Sequence, residues 1–382
     1  MNFDEEIFSE LRLNVREFVR REVEPIAIKM DREDYFPEDV FRKMGHMGYL
    51  GITVPEEYGG SGLGYLGQAI VEEEIGYSSP PLALSYGAHS NLTLDNLYRN
   101  GNKEQRELYV PDLCTGRKIG SLGLTEPSSG SDALNMRTRA EISGEYFTLN
   151  GSKTYITNAP YSDIFLVYAR TGEEHTAFVV LSDDKGFSRG KKFDKMGMRG
   201  SPTGEIFFDG IVLDKSRVIG EVNGGRNIIL SGLNSERAIL SFIFVGLAKR
   251  ALEEATKYSI DRKQFGKSLY EFEMIQDKLA MMYSEYRAAK LLAYDALSSV
   301  ENNNMDLKSA ASSILYSAIV SERIAREAIQ IMGGNGYMKD TGVERLLRDA
   351  ILGQIGAGTT EIRKKLIAGA LIKDIKKGRG IE

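Results

Sequence analysis

The hydrophobic periodicity of this 382-residue chain predicts a mostly helical α+β protein built in three parts. Three observations carry the expectation. Apolar residues recur at threes and fours from Glu5 to about Val110, alternate between about Ser121 and Val218, and return to helical spacing beyond Gly224-Gly225. The expected parts are an N-terminal helical domain over 1–118, a central β-domain over 119–226 and a C-terminal helical bundle over 227–382. That division suits a length with material for two to three domains of about 150 residues each.

In the first part, Leu11, Val15, Phe18, Val19 and Val23 line one face of an amphipathic helix, and Pro25, Pro37 and Pro55 punctuate the chain beyond it. Gly62-Leu63-Gly64-Tyr65-Leu66-Gly67 matches the dinucleotide fingerprint G-x-G-x-x-G, but no strand precedes it and no βαβ unit surrounds it. It reads as a glycine-rich turn between helices. In the second part, 145–149 and 153–157 read as a hairpin across an Asn150-Gly151 turn, and 164–168, 177–181 and 205–208 add strands. Long helices are expected near 227–260, 271–299, 307–332 and 360–376, and Lys373, Lys376, Lys377 and Arg379 read as a solvated face.

Composition narrows the function. With 49 basic and 54 acidic residues the net charge is −5, which favours neither nucleic acid nor an anionic membrane. Cys114 is the only cysteine, and His46, His89 and His175 lack ligand spacing, so thiol or metal chemistry and a metal site are not expected. His89 reads as a packed, hydrogen-bonded residue. The opening Met1-Asn2-Phe3-Asp4-Glu5-Glu6 lacks the basic start and apolar core of an export signal, and no uninterrupted apolar stretch approaches about 18 residues, so a cytoplasmic protein is expected.

Four segments carry the chemistry. Leu124-Thr125-Glu126-Pro127-Ser128-Ser129-Gly130-Ser131-Asp132 packs hydroxyls and amides densely enough for an anionic or heteroaromatic ligand, or simply caps a strand. Tyr155-Ile156-Thr157-Asn158 sets an aromatic plane beside a hydroxyl at a strand end, although both are good strand residues. Asp261-Arg262-Lys263-Gln264-Phe265-Gly266 offers a cation for a pyrophosphate, and basic residues also suit a helix C-terminus. The fourth runs from Gln330-Ile331-Met332-Gly333-Gly334-Asn335-Gly336-Tyr337 through Arg348-Asp349-Ala350 to Gly356-Ala357-Gly358-Thr359-Thr360-Glu361-Ile362-Arg363. Its glycines permit close backbone approach, and Thr359 can cap the next helix.

In this order and at these separations the four segments resemble the acyl-CoA dehydrogenase family over nearly the whole chain. The resemblance implies a central β-barrel-like domain, a C-terminal four-helix bundle, and FAD held between subunits of a homotetramer. It implies that Thr125, Tyr155 and Thr157 meet the flavin, and that Ser131 and Arg237 lie on the substrate side. Arg262, Phe265, Gln330 and Gly334 would reach a neighbouring subunit's FAD, and Thr359 and Glu361 the far end of the cofactor. An acyl-CoA substrate and electron-transfer flavoprotein as acceptor are implied too. Tyr155 departs from the Trp that many members carry at the flavin face.

The chemistry requires a base over the α-carbon and a hydride acceptor over the β-carbon. Most members place the base Glu where this chain has Ala357, which accepts no proton. In Gly232-Leu233-Asn234-Ser235-Glu236-Arg237-Ala238-Ile239-Leu240, Glu236 opens an almost wholly apolar helix and shares a face with Ile239, Leu240 and Ile243. Desolvation there would raise its pKa toward neutrality, whereas a merely structural Glu would stabilise a helix N-terminus. Glu236 with Ala357 looks like the isovaleryl type within the family, as do Tyr58–Leu66 and Leu84–Leu92 in sequence. Gly356, where many straight-chain members have Tyr, opens room for a branch. The expected activity is therefore FAD-dependent α,β-dehydrogenation of a short branched acyl-CoA, a step of branched-chain amino-acid catabolism. The alternatives are another short or medium acyl-CoA, an oxidase, or a catalytically silent flavin- or acyl-CoA-binding protein.

Overall fold

Leu11, Val15, Val19 and Val23 come together on one buried stripe, as the spacing predicts. They start a run of helices: α1 (Glu5–Phe18), α2 (Ala27–Glu33), α3 (Glu38–His46), α4 (Gly64–Ser78), α5 (Pro80–Gly87), α6 (Asn96–Asn100) and α7 (Lys103–Cys114). Two wider, π-type turns interrupt the run at Val19–Val23 and Ala88–Asp95. The computed structural model describes residues 5–301 and 306–380, so the reading of Met1 to Asp4 lies outside the described residues. The glycine-rich stretch is a turn only at Gly62-Leu63; contrary to the expectation Gly64–Gly67 form the first turn of α4, with no strand ahead of it among the described residues.

A sheet comes next, from β1 (Gly120–Gly123), β2 (Arg139–Ser143), β3 (Tyr146–Thr157), β4 (Ile164–Thr171), β5 (Glu174–Leu181), β6 (Phe187–Arg189), β7 (Thr203–Asp214) and β8 (Val218–Ile219). Its order is β6-β7-β3-β2-β4-β5-β8, with β1 parallel to β4. The sheet corrects the expected hairpin. The turn lies at Gly144-Glu145, between β2 and β3, and β3 runs unbroken through Asn150-Gly151. Asn150 Oδ1 instead accepts the Gly210 N–H at 2.8 Å, and the pairing with β7 shifts register between Leu149 and Gly151. Gly151 is required for a different reason than a turn: at φ 144° it lies so close to Thr138 that a Cβ would fall 2.5 Å from Oγ1. The Asn-Gly pair makes a bulge, not a reversal.

The last part contains α8 (Gly225–Asp261), the two-stranded β9 (Lys263–Gln264) and β10 (Lys267–Ser268), α9 (Glu273–Glu301), α10 (Leu307–Met332), α11 (Gly334–Tyr337), α12 (Glu344–Leu352) and α13 (Thr360–Lys376). The four expected long helices are α8, α9, α10 and α13. By length and composition α8 alone among the described residues could cross a membrane, but 72% of its apolar window is buried inside the protein, as in a core helix. Buried side chains of α8, α9 and α10 share one apolar cluster, and the other face of α8 closes on α4 and α5. Arg348 and Asp349, part of the fourth segment, tie the three parts together. Arg348 forks onto Asp31 at 2.7 and 2.6 Å, and Asp349 Oδ1 accepts the Met198 N–H at 2.5 Å.

Helix α8 can approach α4 only because both present glycine. A Cβ on Gly246 would fall 2.3 Å from the Glu73 carbonyl, and one on Gly76 2.9 Å from the Ile243 Cα. Gly246→Ala is therefore expected to cost about 1–3 kcal/mol through overpacking, seen as a lower thermal midpoint. Gly369→Ala, with nothing within 4 Å of its Cβ, should leave the midpoint unchanged or raise it. Equal midpoints for the two variants would refute the close-approach argument.

Candidate active site

Contrary to the expectation from sequence, Glu236 does not open its helix but sits well inside the 37-residue α8. No helix N-terminus is there for it to stabilise, which removes the structural reading. Ile239, Leu240 and Ile243 beside it are buried, and its own side chain keeps partial exposure. Burial raises its pKa to about 7, against the opposing pull of Arg237 and Arg363. Desolvation wins over two nearby cations, which leaves a carboxyl that is half-ionised near neutrality.

One of these cations, Arg363, bonds the turn that holds Ala357, and the other, Arg237, lies beside it. Arg363, fully buried on α13, donates from Nη1 to the Gly353 carbonyl at 2.5 Å and from Nη2 to that of Gly356. Arg237 Nη1 donates to Asn234 Oδ1 at 2.7 Å, and its Nη2 lies 3.9 Å from where a Gly358 Cβ would stand. Burial pushes the Arg363 pKa down to about 10, partly offset by Glu236, so it remains a cation at neutral pH. Ala357 occupies the left-handed region at φ 52° and packs with Leu84 against the cluster of Tyr86, Leu240 and Phe244. A Cβ on Gly356 would meet nothing closer than 3.5 Å, so space is open there. Thr359 caps α13 through the Ile362 N–H, and Glu361 is exposed just beyond. Sequence reasoning missed Arg363. Its signal was a lone cation on the turn after the Gly-Ala-Gly stretch, readable only once the turn is folded back on it.

On the sheet, Thr125, Tyr155 and Thr157 gather at one rim. The Thr154 N–H bonds the Thr125 carbonyl at 2.9 Å, drawing the first segment onto β3. A second register shift between Lys153 and Ile156 throws Tyr155 outward at φ 58°, leaving its ring 69% exposed against Phe193. Strained backbone of this kind persists where the surroundings enforce it. Neither Thr125 nor Thr157 spends its hydroxyl on a protein partner among the described residues, and Ser131 is exposed nearby in sequence. An open aromatic face beside two uncommitted hydroxyls fits a planar heteroaromatic ring such as a flavin. Asn158, at φ 67°, donates to the Ser85 carbonyl at 2.8 Å and so docks this rim on α5, next to the Ala357 cluster.

A buried ion pair, also missed from sequence, holds the rim. Lys153 Nζ donates to Glu126 Oε1 at 2.8 Å and to the Leu124 carbonyl at 3.1 Å, with both side chains almost fully buried. Glu126 further accepts the Arg137 and Thr138 N–H groups at 2.5 and 2.9 Å. Burial pushes Lys153 down to about 8, with Glu126 opposing. The inward alternation of β3 would have marked Lys153 as a lysine inside a sheet.

The remaining expected residues lie elsewhere. Arg262 and Phe265 sit at the far end of α8, about 39 Å from Glu236 along the axis at 1.5 Å per residue. Gln330 and Gly334 share that end, where Asn335 Nδ2 donates to the Tyr258 hydroxyl at 3.0 Å. All four are exposed, Phe265 at 94% and at φ 55°, and Arg262 has no ion-pair partner among the described residues. Within one chain, therefore, this group and Glu236 form two separate surfaces. His89 is packed as expected. It accepts the Gly120 N–H on Nδ1 and donates from Nε2 to the Leu113 carbonyl, both at 3.0 Å, and burial lowers its pKa to about 4.

Models of the acyl-CoA dehydrogenase N-terminal, middle and C-terminal domains match residues 5–117, 121–211 and 223–372. A mitochondrial isovaleryl-CoA dehydrogenase of Pongo abelii is 40% identical over 374 residues, covering 96% of this chain and 88% of that protein. Butyryl-CoA dehydrogenase from Megasphaera elsdenii superposes with a TM-score of 0.94 at 32% identity, covering 96% of this chain and 98% of its own. A glutaryl-CoA dehydrogenase from Mycobacterium smegmatis in complex with FADH2 gives a TM-score of 0.92 at 28% identity, with 96% and 94% covered.

Lys153→Met would leave Glu126 buried without its cation. It is expected to cost about 3–5 kcal/mol and to release the Thr125 loop, measured as a lower thermal midpoint together with loss of bound flavin. A variant of wild-type stability would show that the pair does not hold the rim.

Proposed function

The chain belongs to the acyl-CoA dehydrogenase family, and we propose that it oxidises a short branched acyl-CoA of the isovaleryl type, with Glu236 as the base. It is an FAD-dependent oxidoreductase acting on CH–CH bonds. The observation that carries the reading is the Glu236 carboxyl, raised by burial to about 7, with Arg237 and Arg363 near it and Arg363 holding the Ala357 turn.

Bound FAD supplies the two-electron acceptor for the β-hydride, and the remaining tasks fall to this chain. Thr125, Tyr155 and Thr157 orient the flavin, and Ser131 and Arg237 line the substrate's path to it. Glu236 takes the α-proton from one face of the acyl chain. A base with a pKa near working pH balances ionised fraction against proton affinity. Ala357 leaves the opposite approach empty, and the gap at Gly356 accommodates a branch. Arg262, Phe265, Gln330 and Gly334 lie too far from Glu236 to serve the same flavin, which supports their acting on a neighbouring subunit's FAD in a homotetramer. Thr359 and Glu361 serve the cofactor's far end, and electron-transfer flavoprotein is the proposed acceptor. The proposed domain boundaries remain 1–118, 119–226 and 227–382.

Anaerobic stopped-flow measurement of flavin reduction tests the base. Glu236→Gln should bind FAD and acyl-CoA yet slow reduction by about 10²–10⁴-fold, and adding Ala357→Glu should restore part of the rate. Because the carboxylate form is the base, the wild-type rate should rise with pH through about 7 and fall away on the acid side. Reduction at the wild-type rate in Glu236→Gln, or a flat profile from about pH 6 to 8, would dismiss Glu236.

A substrate panel tests the acyl group. Isovaleryl-CoA is expected to exceed both butyryl-CoA and octanoyl-CoA by about 10–200-fold in kcat/KM, the worth of a well-placed methyl in a pocket. Faster turnover of octanoyl-CoA would overturn the branched-chain reading.

A further inference from the structure

Where α2, the segment between β6 and β7, and the start of α12 meet, the surface folds into an open cavity of about 200 Å³. Five cations line it, Arg32, Lys195, Arg199, Lys339 and Arg348, against one acid, Asp31. That acid is already committed. Both its oxygens accept from Arg348, at 2.7 and 2.6 Å. Further backbone bonds fix the walls: Arg199 Nε donates to the Asp31 carbonyl at 2.7 Å, and Arg348 Nη1 to that of Met196 at 3.1 Å. The guanidinium groups are therefore held in place before any ligand arrives.

The other four cations are poorly compensated. Arg199 meets Asp194 at 2.5 Å and Arg32 meets Asp340 at 2.8 Å, but both carboxylates stand out in solvent. Ion pairs of that kind are weak and screened, so each arginine keeps most of its attraction for a further anion. Lys195 and Lys339 have no acid within ion-pair distance among the described residues. Lys195 Nζ donates to the Ser201 carbonyl at 2.7 Å, a neutral partner that leaves its charge in place. Burial above all lowers the Lys195 pKa; Asp34 and Asp349 oppose the shift, and the charges of Lys192 and Arg199 add to it. Cations that repel one another around a cavity whose one lining acid is committed call for a counter-anion.

We propose that this cavity binds a phosphate group, free or as the terminal phosphate of a phosphomonoester, and that the bound anion staples the three parts of the chain at their joint. Each part supplies a cation: Arg32 from the first, Lys195 and Arg199 from the second, Lys339 and Arg348 from the third. A guanidinium fork matches two phosphate oxygens and an ammonium adds a point charge, so this set suits a doubly charged tetrahedral anion better than a monocarboxylate. An apolar ligand would meet only the Met196 side chain. None of the lining residues is assigned to the base, the flavin or the acyl chain, and the proposal does not rest on the dehydrogenation reading.

Calorimetric titration of inorganic phosphate into the FAD-loaded enzyme at about pH 8, where phosphate is doubly charged, tests this against chloride at matched ionic strength. Saturable binding is expected, and phosphate at about ten times its Kd should raise the thermal midpoint by about 1–4 °C. Lys195→Met combined with Lys339→Met leaves Arg348 and Asp31 intact. That variant should bind phosphate about 10-fold more weakly or worse and lose the rise in midpoint, while its flavin is reduced by acyl-CoA at the wild-type rate. Lys103→Met combined with Lys215→Met removes the same charge from exposed positions elsewhere and should bind as the wild type does. Titration with AMP separates the sources: binding as tight as that of phosphate identifies a phosphomonoester, and binding of inorganic phosphate alone identifies the free ion. Absence of saturable binding, or a Lys195→Met, Lys339→Met enzyme that binds phosphate as tightly as the wild type, overturns the proposal.

Discussion

Keeping a carboxyl out of water in the interior of a helix is the constraint around which this structure is arranged. Desolvating Glu236 opposes its ionisation, and only Arg237 and Arg363 favour it. Neither cation pairs with it by a hydrogen bond. Both are instead committed to neighbouring groups: Arg363 to the Gly353 and Gly356 carbonyls, Arg237 to Asn234. A direct salt bridge would have pulled the pKa back below the neutral range. Charges held near but not on the carboxyl leave it basic and still largely ionisable at neutrality. That arrangement needs α8, α13 and the intervening turn fixed together, and Arg363 provides the joint.

Strain gathers where the chain meets its expected ligands. Of the seven non-glycine residues in the left-handed region among the described residues, four, Tyr155, Asn158, Phe265 and Ala357, stand in segments that the sequence singled out, and Asp34, Met198 and Asn223 do not. Such conformations cost of order 1–3 kcal/mol each, and here local bonding enforces them. Asn158 is locked by the Pro202 carbonyl and by Ser85, Ala357 by the arginine clamp on its neighbour, and Tyr155 by the register shift against β7. The β-bulge that turns Tyr155 outward exposes an aromatic face that a regular strand would have left alternating with its neighbours.

Much of this was legible in the sequence because period and composition report on burial directly. The order of helices, sheet and helices, the long helices of the last part, the Thr359 cap and the packed state of His89 follow from spacing and chemistry. The Asn150-Gly151 reading failed because the same dipeptide serves a tight turn or a bulge, and only the close approach to Thr138 decides between them. The two readings around Glu236 disagreed: the helix expected near 227–260 matches α8 (Gly225–Asp261), whereas the reading of Glu236 as a helix start failed because Gly232, Asn234 and Ser235 interrupt the apolar run and imitate one. Lys153 with Glu126, and Arg363 with its two carbonyls, were invisible because each joins elements far apart in sequence or folded back across a turn.

The α4–α8 contact shows why backbone geometry and side-chain chemistry are read from different layers of the same molecule. Glycines at 76 and 246 bring the two helices together, and the superpositions with butyryl- and glutaryl-CoA dehydrogenases report backbone agreement over the whole chain. The face α4 then presents is a matter of individual side chains. Glu73 and Glu74 are neutralised by Arg12, Arg16 and Lys290, and so contribute to holding α1 and α9 in place. Glu72, one residue away and turned toward α5, is spared any cation. Had burial alone governed α4, an apolar residue at 72 would pack as well and cost less. Burial without a cation raises the Glu72 pKa and favours its neutral form, so at this one position α4 carries a carboxyl that adds no ion pair to the fold.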